Sequence, residues 1–364
     1  MTLKRLVIAT PLYPPEIGGP ATDAAGLVAH LSKRGTVSTV CPFSSCRWLP
    51  RGIRHFAYAY RLLRGAYGAD GIIAFDTFSV GLPAVLVAWL LRVPLIVRVP
   101  GDYAWEQGRQ RFGVTDTLEV FQYQRYGFWV ELLRKCQRLV VRRAELVVVP
   151  SDFFKGIVSS WEVDSQRLVR IYLGLDLLEE SKSPTVVPGG KIVFSVGRLV
   201  PWKGFSMLIA LMPLLPEWHL VIAGDGPLRV SLQEEAHTSG VADRITFTGP
   251  LTHEEVLGWL ARADAFALNT SFESFSFQVL EAMLSEIPVI TTTAGSLPEL
   301  VLNEEEGILC APDDAVAFRN AIASVAVDSE KWQARVAAAK RKASFFSKEA
   351  SLNAFVEAIQ KICD

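Results

Sequence analysis

Cysteine is scarce in this 364-residue chain and poorly arranged for cross-linking. Cys41, Cys46, Cys136, Cys310 and Cys363 are odd in number and contain no C-x-x-C pair. Reduced, buried thiols in a cytoplasmic protein are the favoured reading. The five histidines show no H-E-x-x-H or other ligand spacing, so no metal centre is expected. Net charge is nearly absent at −1, which gives no whole-molecule reason to expect a nucleic-acid partner. Long hydrophobic runs are missing as well. The most apolar, Phe78 to Leu91, has 14 residues and stops at Arg92, short of the ~18–20 needed to span a bilayer. The N-terminal run Leu6–Thr10 is too short for a signal h-region and lacks a cleavage pattern. The expectation is a cytoplasmic chain, neither secreted nor transmembrane.

What is present is ample core material: half the residues are hydrophobic and 21% are charged, which excludes disorder and suits two domains. A short apolar run, a turn and a helical pattern recur. Strands are expected at Leu6–Thr10, Val37–Cys41, Gly71–Phe75, Leu95–Val99, Leu146–Val149 and Val169–Tyr172, with helices such as Gly19–Lys33 and Leu82–Leu91 between them. Such alternation means parallel sheets covered by helices. The rhythm halts at Glu179–Pro184 and Pro188-Gly189-Gly190, which is linker chemistry. It restarts at Lys191–Val196 and continues through Leu220–Ala223, Ile245–Phe247, Ala265–Leu268 and Pro288–Thr291. Two doubly wound α/β domains follow, 1–178 and 187–345, with ligands expected at the carboxyl ends of their strands and in the cleft between them. Leu352, Phe355, Val356, Ile359 and Ile362 mark an amphipathic last helix.

Charge separates the halves. Up to residue 180 there are 22 Lys and Arg against 16 Asp and Glu; beyond it, 15 against 22. Between Asp23 and Asp70 lie seven cations (Lys33, Arg34, Arg47, Arg51, Arg54, Arg61, Arg64) and no acid, interleaved with Trp48, Phe56, Tyr58, Tyr60, Leu62 and Leu63. A second basic stretch holds Arg134, Lys135, Arg138, Arg142 and Arg143. Aromatics among cations suit an anionic lipid surface, each cation contributing ~1 kcal/mol there. The alternative is a solvated helix face whose apolar residues turn to the core.

Three segments carry candidate chemistry. The loop Pro14–Pro20 places Gly18 and Gly19 at the mouth of a helix, where backbone N–H groups and the helix dipole favour an anion. In Val196–Gly204, Arg198 leaves a strand and Lys203 opens the next helical pattern; two cations there can neutralise a diphosphate. In Phe272–Met283, Glu281 lies within an apolar helical stretch where a carboxylate needs a partner. Glu273 precedes that helix as a cap-like acid. Eight residues set the two carboxylates about two helical turns, ~12 Å, apart, which suits hydroxyls at two ends of one ligand.

In these residues the chain resembles the retaining glycosyltransferases of family four, glycosyl transferases group 1. The resemblance runs from the Gly18-Gly19 loop to the C-terminus. Its most specific part is Glu273 to Glu281, the E-x7-E motif, followed by Ala282-Met283 and Gly295-Ser296-Leu297-Pro298-Glu299. Arg198 and Lys203 match the phosphate-binding pair, Gly224-Asp225-Gly226-Pro227 a glycine turn after a strand, and Tyr172–Asp176 an interdomain segment. The resemblance implies a GT-B fold: two Rossmann-like domains facing across a cleft, the C-terminal helix (346–364) crossing back to the first. It further implies a nucleotide-diphosphate sugar donor held mainly by the second domain. Glu281 would take the ribose hydroxyls, Glu273 those of the transferred sugar, and Arg198 with Lys203 the diphosphate. Gly226 and the amides of Phe275 and Ser276 would assist, and Gly18 and Gly19 would approach the phosphates. No D-x-D sequence occurs, in keeping with a family that needs no cofactor or divalent metal. The first domain would bind the acceptor, and its basic, aromatic stretches suggest a lipid-linked or cell-envelope glycan at the inner face of a membrane, as in cell-envelope polysaccharide assembly.

The chain departs from the family at the end of the fourth strand. Family members often carry a histidine there, before an aspartate; here Gly101 precedes Asp102, and Asp102 is expected either to take part of the histidine's role or to cap a turn. Ser276 stands for a second glycine, and Leu173 for a usual asparagine. Rival readings are a nucleotide-sugar 2-epimerase of the same architecture and a non-catalytic nucleotide-sugar-binding subunit. A dehydrogenase is disfavoured because no G-x-G-x-x-G fingerprint follows either first strand.

Overall fold

A computed structural model describes residues 4–16, 18–50, 52–176 and 181–363. Ile17, Arg51, the linker acids Glu179 and Glu180 and the thiol of Cys363 lie outside the described residues. The chain divides into two compact units, Met1–Tyr172 with Glu349–Asp364, and Leu173–Lys348.

In the first unit, strands β1 (Arg5–Thr10), β2 (Val37–Pro42), β3 (Gly71–Ala74), β4 (Leu95–Arg98), β5 (Leu146–Val149) and β6 (Leu168–Arg170) form one sheet. Their order is β2-β1-β3-β4-β5-β6, and all pairs are parallel. The sequences of β3, β4 and β5, such as Leu-Val-Val-Val, are buried at every position, as strands covered on both faces require. Helices α1 (Gly19–Lys33), α2 (Ile53–Ala66), α3 (Gly81–Leu91), α4 (Tyr103–Arg111), α5 (Leu118–Tyr123), α6 (Phe128–Arg143) and α7 (Asp152–Ser159) connect them.

The second unit repeats the plan with β7 (Lys191–Val196), β8 (Trp218–Ala223), β9 (Ile245–Gly249), β10 (Ala265–Ala267), β11 (Val289–Thr292) and β12 (Ile308–Cys310). The order β12-β11-β10-β7-β8-β9 reverses between β7 and β10. Helices α8 (Phe205–Leu211), α9 (Arg229–Thr238), α10 (His253–Leu260), α11 (Phe277–Leu284), α12 (Leu297–Leu300), α13 (Ala315–Val325) and α14 (Ser329–Ala343) complete it. Both units are Rossmann-like. β12 has no counterpart among the strands expected from sequence: three residues are too few to show a period.

The last helix, α15 (Lys348–Cys363), belongs to the first unit from Glu349 onward. Leu352, Phe355, Val356 and Ile359 join Leu6, Ile8, Ile73 and Ile96 in one hydrophobic cluster. Arg98 stacks 5.0 Å above the Phe355 ring and pairs with Asp23 at 2.6 Å. The two ends of the second unit are bonded to each other: Leu175 N–H donates to the Phe346 carbonyl at 3.0 Å, Lys348 N–H donates to the Leu175 carbonyl, and the Lys348 side chain pairs with Asp176 at 2.6 Å.

One expectation about the basic stretches is corrected. Arg134 is not on a lipid-facing surface: it is buried, its guanidinium lies 4.0 Å from the Phe121 ring centroid, and it donates to the Gln124 carbonyl at 2.7 Å. Tyr58 and Leu62 are likewise core residues, whereas Trp48, Phe56 and Tyr60 are exposed. No helix among the described residues is long and apolar enough to cross a membrane.

Candidate active site

Ligands of doubly wound sheets bind where the strand order reverses, beyond the carboxyl ends of the strands. In the second unit that point lies between β7 and β10, and the loops leaving these strands carry Arg198, Lys203 and Glu273. The pairing Val196↔Ala223 ends β7 and β8 side by side, so the segments 197–204 and 224–228 leave the sheet together. They are stitched: Leu199 N–H donates to the Asp225 carbonyl at 3.0 Å and Leu228 N–H to the Leu199 carbonyl at 3.1 Å. Any Cβ at Gly226 would drive into the Leu199 backbone, so this approach requires glycine. The stitching fixes the backbone on either side of Arg198, which is exposed and has no ion pair among the described residues.

A second set of bonds ties the loop after β7 to the loop after β10. Ser271 N–H and Thr270 Oγ1 donate to the Trp202 carbonyl at 2.8 and 3.0 Å. Asn269 Nδ2 donates to the Gly204 carbonyl at 3.1 Å and to Asp313 Oδ1 at 2.7 Å. These bonds deliver Lys203 Nζ onto Glu273 Oε1, a pair in which both side chains are about nine-tenths buried. Burial holds the Glu273 carboxyl above its ordinary pKa, and the Lys203 charge works against that shift. The backbone of Glu273 is pinned from the segment between β11 and α12: Ser296 N–H donates to its carbonyl at 2.9 Å. Gly295, at φ 61°, occupies space that any Cβ would contest with that same carbonyl.

Glu273 is therefore not the cap of α11, as its place before the helix suggested. That role falls to Ser276, whose Oγ accepts from Val279 N–H at 3.4 Å. Glu281 sits on α11 with its side chain 12% exposed, 3.3 Å from Nδ1 of His253 at the start of α10. Phe275 is buried against Phe277 and Phe346, ring centroids 5.7 and 6.0 Å away. Nothing in the sequence pointed to His253, Asn269 or Thr270, because each acts through a partner distant along the chain. Ser296 has a buried hydroxyl without a hydrogen-bond partner among the described residues.

The remaining predicted residues lie in the first unit. Gly18 is the N-cap of α1 and Gly19 its first residue, with no side-chain cap. Asp102 is the N-cap of α4. It is fully buried; Oδ1 accepts from Trp105 N–H (3.0 Å) and Gln137 Nε2 (2.9 Å), and Oδ2 from Gln122 Nε2 (2.9 Å). Burial raises its pKa and these donors oppose the rise. Its carboxylate caps α4 and braces α5 and α6, which is the capping alternative of the two roles expected for it. Beside it, the space in front of Gly101 is filled by Glu106, whose Oε1 would stand 2.7 Å from a Cβ there.

Comparison with known proteins adds the family. Residues 178–343 match the model "Glycosyl transferases group 1" and residues 7–174 the "Glycosyl transferase 4-like domain". An uncharacterised glycosyltransferase of Methanocaldococcus jannaschii is 33% identical over 86% of this chain and 87% of its own. The glycogen synthase of Mycobacterium tuberculosis is 30% identical over 75% of this chain; the match spans only 64% of that relative's length. Among solved structures, Anabaena HepE in complex with UDP and glucose superimposes with a TM-score of 0.78 at 18% identity, covering 99% of this chain and all of that one.

Proposed function

Because the chain belongs to the group 1 glycosyltransferases, we propose that it moves a sugar from a nucleotide-diphosphate sugar to an acceptor hydroxyl with retention of configuration, and without a divalent metal. The observation that carries the reading is the buried Lys203–Glu273 pair at the strand-order reversal, with exposed Arg198 on the same loop. Lys203 has three donors and spends one on Glu273, so two remain for phosphate oxygens. Arg198 adds a planar fork for the same diphosphate. Together they stabilise charge as it develops on the departing nucleotide, the kind of stabilisation that dominates such reactions. Glu273 keeps Oε2 for a hydroxyl of the transferred sugar, while Glu281, held by His253, accepts from the ribose hydroxyls. The acceptor hydroxyl attacks the anomeric carbon on the face the nucleotide leaves. Its proton passes to the departing phosphate oxygen, so no protein base is required.

The outer layer of the first unit supports an acceptor at a membrane surface. Helix α2 packs beside α3 and α3 beside α6. Each presents large exposed apolar residues: Phe56 and Tyr60, Trp89 and Leu90, Trp129 and Leu132. Among the described residues these three helices carry one acid, Glu131, which is paired with Arg134, against the exposed cations Arg61, Arg64, Lys135, Arg142 and Arg143. Aromatics at headgroup depth ringed by cations suit an anionic leaflet.

Titration calorimetry with UDP, GDP, ADP and their sugar conjugates, with and without EDTA, tests the donor site. One nucleotide is expected to bind at micromolar affinity regardless of EDTA, and Glu281→Ala to lose that binding with the fold intact. Failure of every nucleotide to bind would sink the donor assignment.

A further inference from the structure

The first unit contains a built cavity of its own, well apart in sequence from the donor-site residues. About 400 Å³ in volume, it is lined by Arg54 of α2, Phe78 after β3, Tyr103, Gln107 and Arg111 of α4, and Trp129 of α6. Phe78 and Tyr103 follow β3 and β4, so the cavity lies at the carboxyl ends of the sheet, where such folds place ligands. Their rings stack, with centroids 4.7 Å apart and planes 12° from parallel. Two lining side chains hold buried polar atoms without a partner among the described residues: Nε of Arg54 and Oε1 of Gln107. Polar atoms of this kind are open to a bound group.

The lining chemistry selects the ligand. Hydroxyl-rich ligands need acceptors, yet no carboxylate lines this cavity. Asp76, two residues before Phe78, already accepts from the Phe78 and Val80 amides at 2.9 Å each, and Glu106 faces Gly101. Two guanidiniums, which only donate, call for an anion with several acceptor oxygens. The mouth calls for something else: Phe112, Trp129 and Leu132 are 44%, 60% and 38% exposed and continue into the apolar layer of α6. Cations and exposed apolar side chains lining one cavity describe an amphiphile.

We propose that this cavity binds the phosphate end of a phosphorylated lipid acceptor: Arg54 and Arg111 take the phosphate, Gln107 accepts from a neighbouring hydroxyl or amide, and Phe78, Tyr103 and Trp129 hold the first apolar segment of the lipid. The cavity's ligand is the acceptor only if the transferase reading above holds; the binding itself does not depend on it.

The test uses the full chain and three probes by calorimetry, below their aggregation limits: farnesyl diphosphate, farnesol and inorganic diphosphate. Farnesyl diphosphate should bind, with the other two each weaker by at least about tenfold, since each supplies half of the complementarity. Arg111→Gln, at an exposed position, and Arg54→Gln should each weaken farnesyl diphosphate by roughly 10- to 100-fold, the worth of a charged hydrogen bond. Trp129→Ala should weaken it too, without altering inorganic diphosphate. Unchanged binding in both arginine variants, with wild-type circular dichroism, would place the probe elsewhere and overturn the proposal. Equal binding of inorganic diphosphate would reduce the cavity to a plain anion site and overturn the lipid assignment. Nucleotide binding, measured in the same variants, should not change. Its absence in the wild type would remove the donor site while leaving the lipid-binding result for this cavity unaffected.

Discussion

Replacing Lys203 by methionine strips one partner from a buried ion pair while keeping much of the side chain's length. Both members are about nine-tenths buried, and leaving a buried charge uncompensated typically costs about 3–5 kcal/mol, a loss of roughly 150- to 5000-fold in the folding constant. The cost should depend on pH with a definite sign. Burial raises the Glu273 pKa and Lys203 is the group that opposes the rise, so removing Lys203 lifts it further. A carboxyl whose folded pKa exceeds its unfolded value favours the folded state while protonated. That contribution is complete below the unfolded pKa and is lost as pH rises through the folded one. Lys203→Met should therefore cost little in acid and most at neutral pH. Urea denaturation followed by tryptophan fluorescence, from about pH 4.5 to 8, reads this directly. The double variant with Glu273→Gln should recover most of the loss at neutral pH, as a coupled pair must. A cost that stays flat with pH and is not rescued by Glu273→Gln would refute the account of Lys203 as the neutralising partner.

Two further outcomes bear on the first unit. Phe355→Ala, which empties a fully packed position in the cluster around Leu6 and Ile96 and removes the ring under Arg98, should cost about 3–5 kcal/mol; a loss under about 1 kcal/mol in chemical denaturation would mean α15 is dispensable to that core. Asp102→Asn keeps an acceptor for Trp105 N–H but turns one end into a donor facing Gln122. It should lower stability by about 1–2 kcal/mol with turnover within a few-fold of wild type, whereas a loss of several hundred-fold in turnover at unchanged stability would return Asp102 to the mechanism.

The strands could be read from the sequence because buried parallel strands are short unbroken apolar runs, as in Leu146–Val149, and because glycine turns punctuate them. Motif residues could be read for a related reason: Glu273 to Glu281 and Arg198 to Lys203 are local spacings. What joins them is not local. Lys203 meets Glu273 across 70 positions, and the bonds that bring them together run from Thr270 and Asn269 to carbonyls of the facing loop, so no window of sequence contains the pair. Asp102 stayed open to two readings for the same reason: its donors, Gln122 and Gln137, lie 20 and 35 residues downstream, and only the fold reveals them. Arg134 read as surface charge because a buried guanidinium stacked on Phe121 leaves no trace in the pattern of cations along a helix.

The passage of α15 into the first unit constrains how the protein can be made. Chains emerge from the ribosome N-terminal end first, and domains tend to fold as they appear. Here the sheet of the first unit is synthesised early, yet Leu352, Phe355, Val356 and Ile359 of its core follow the whole of the second unit. Until they arrive, the apolar faces of α1 and β1 lack part of their cover, and the second unit must be translated in full in the meantime. The core of the unit that begins first is therefore completed only after the other unit has been made.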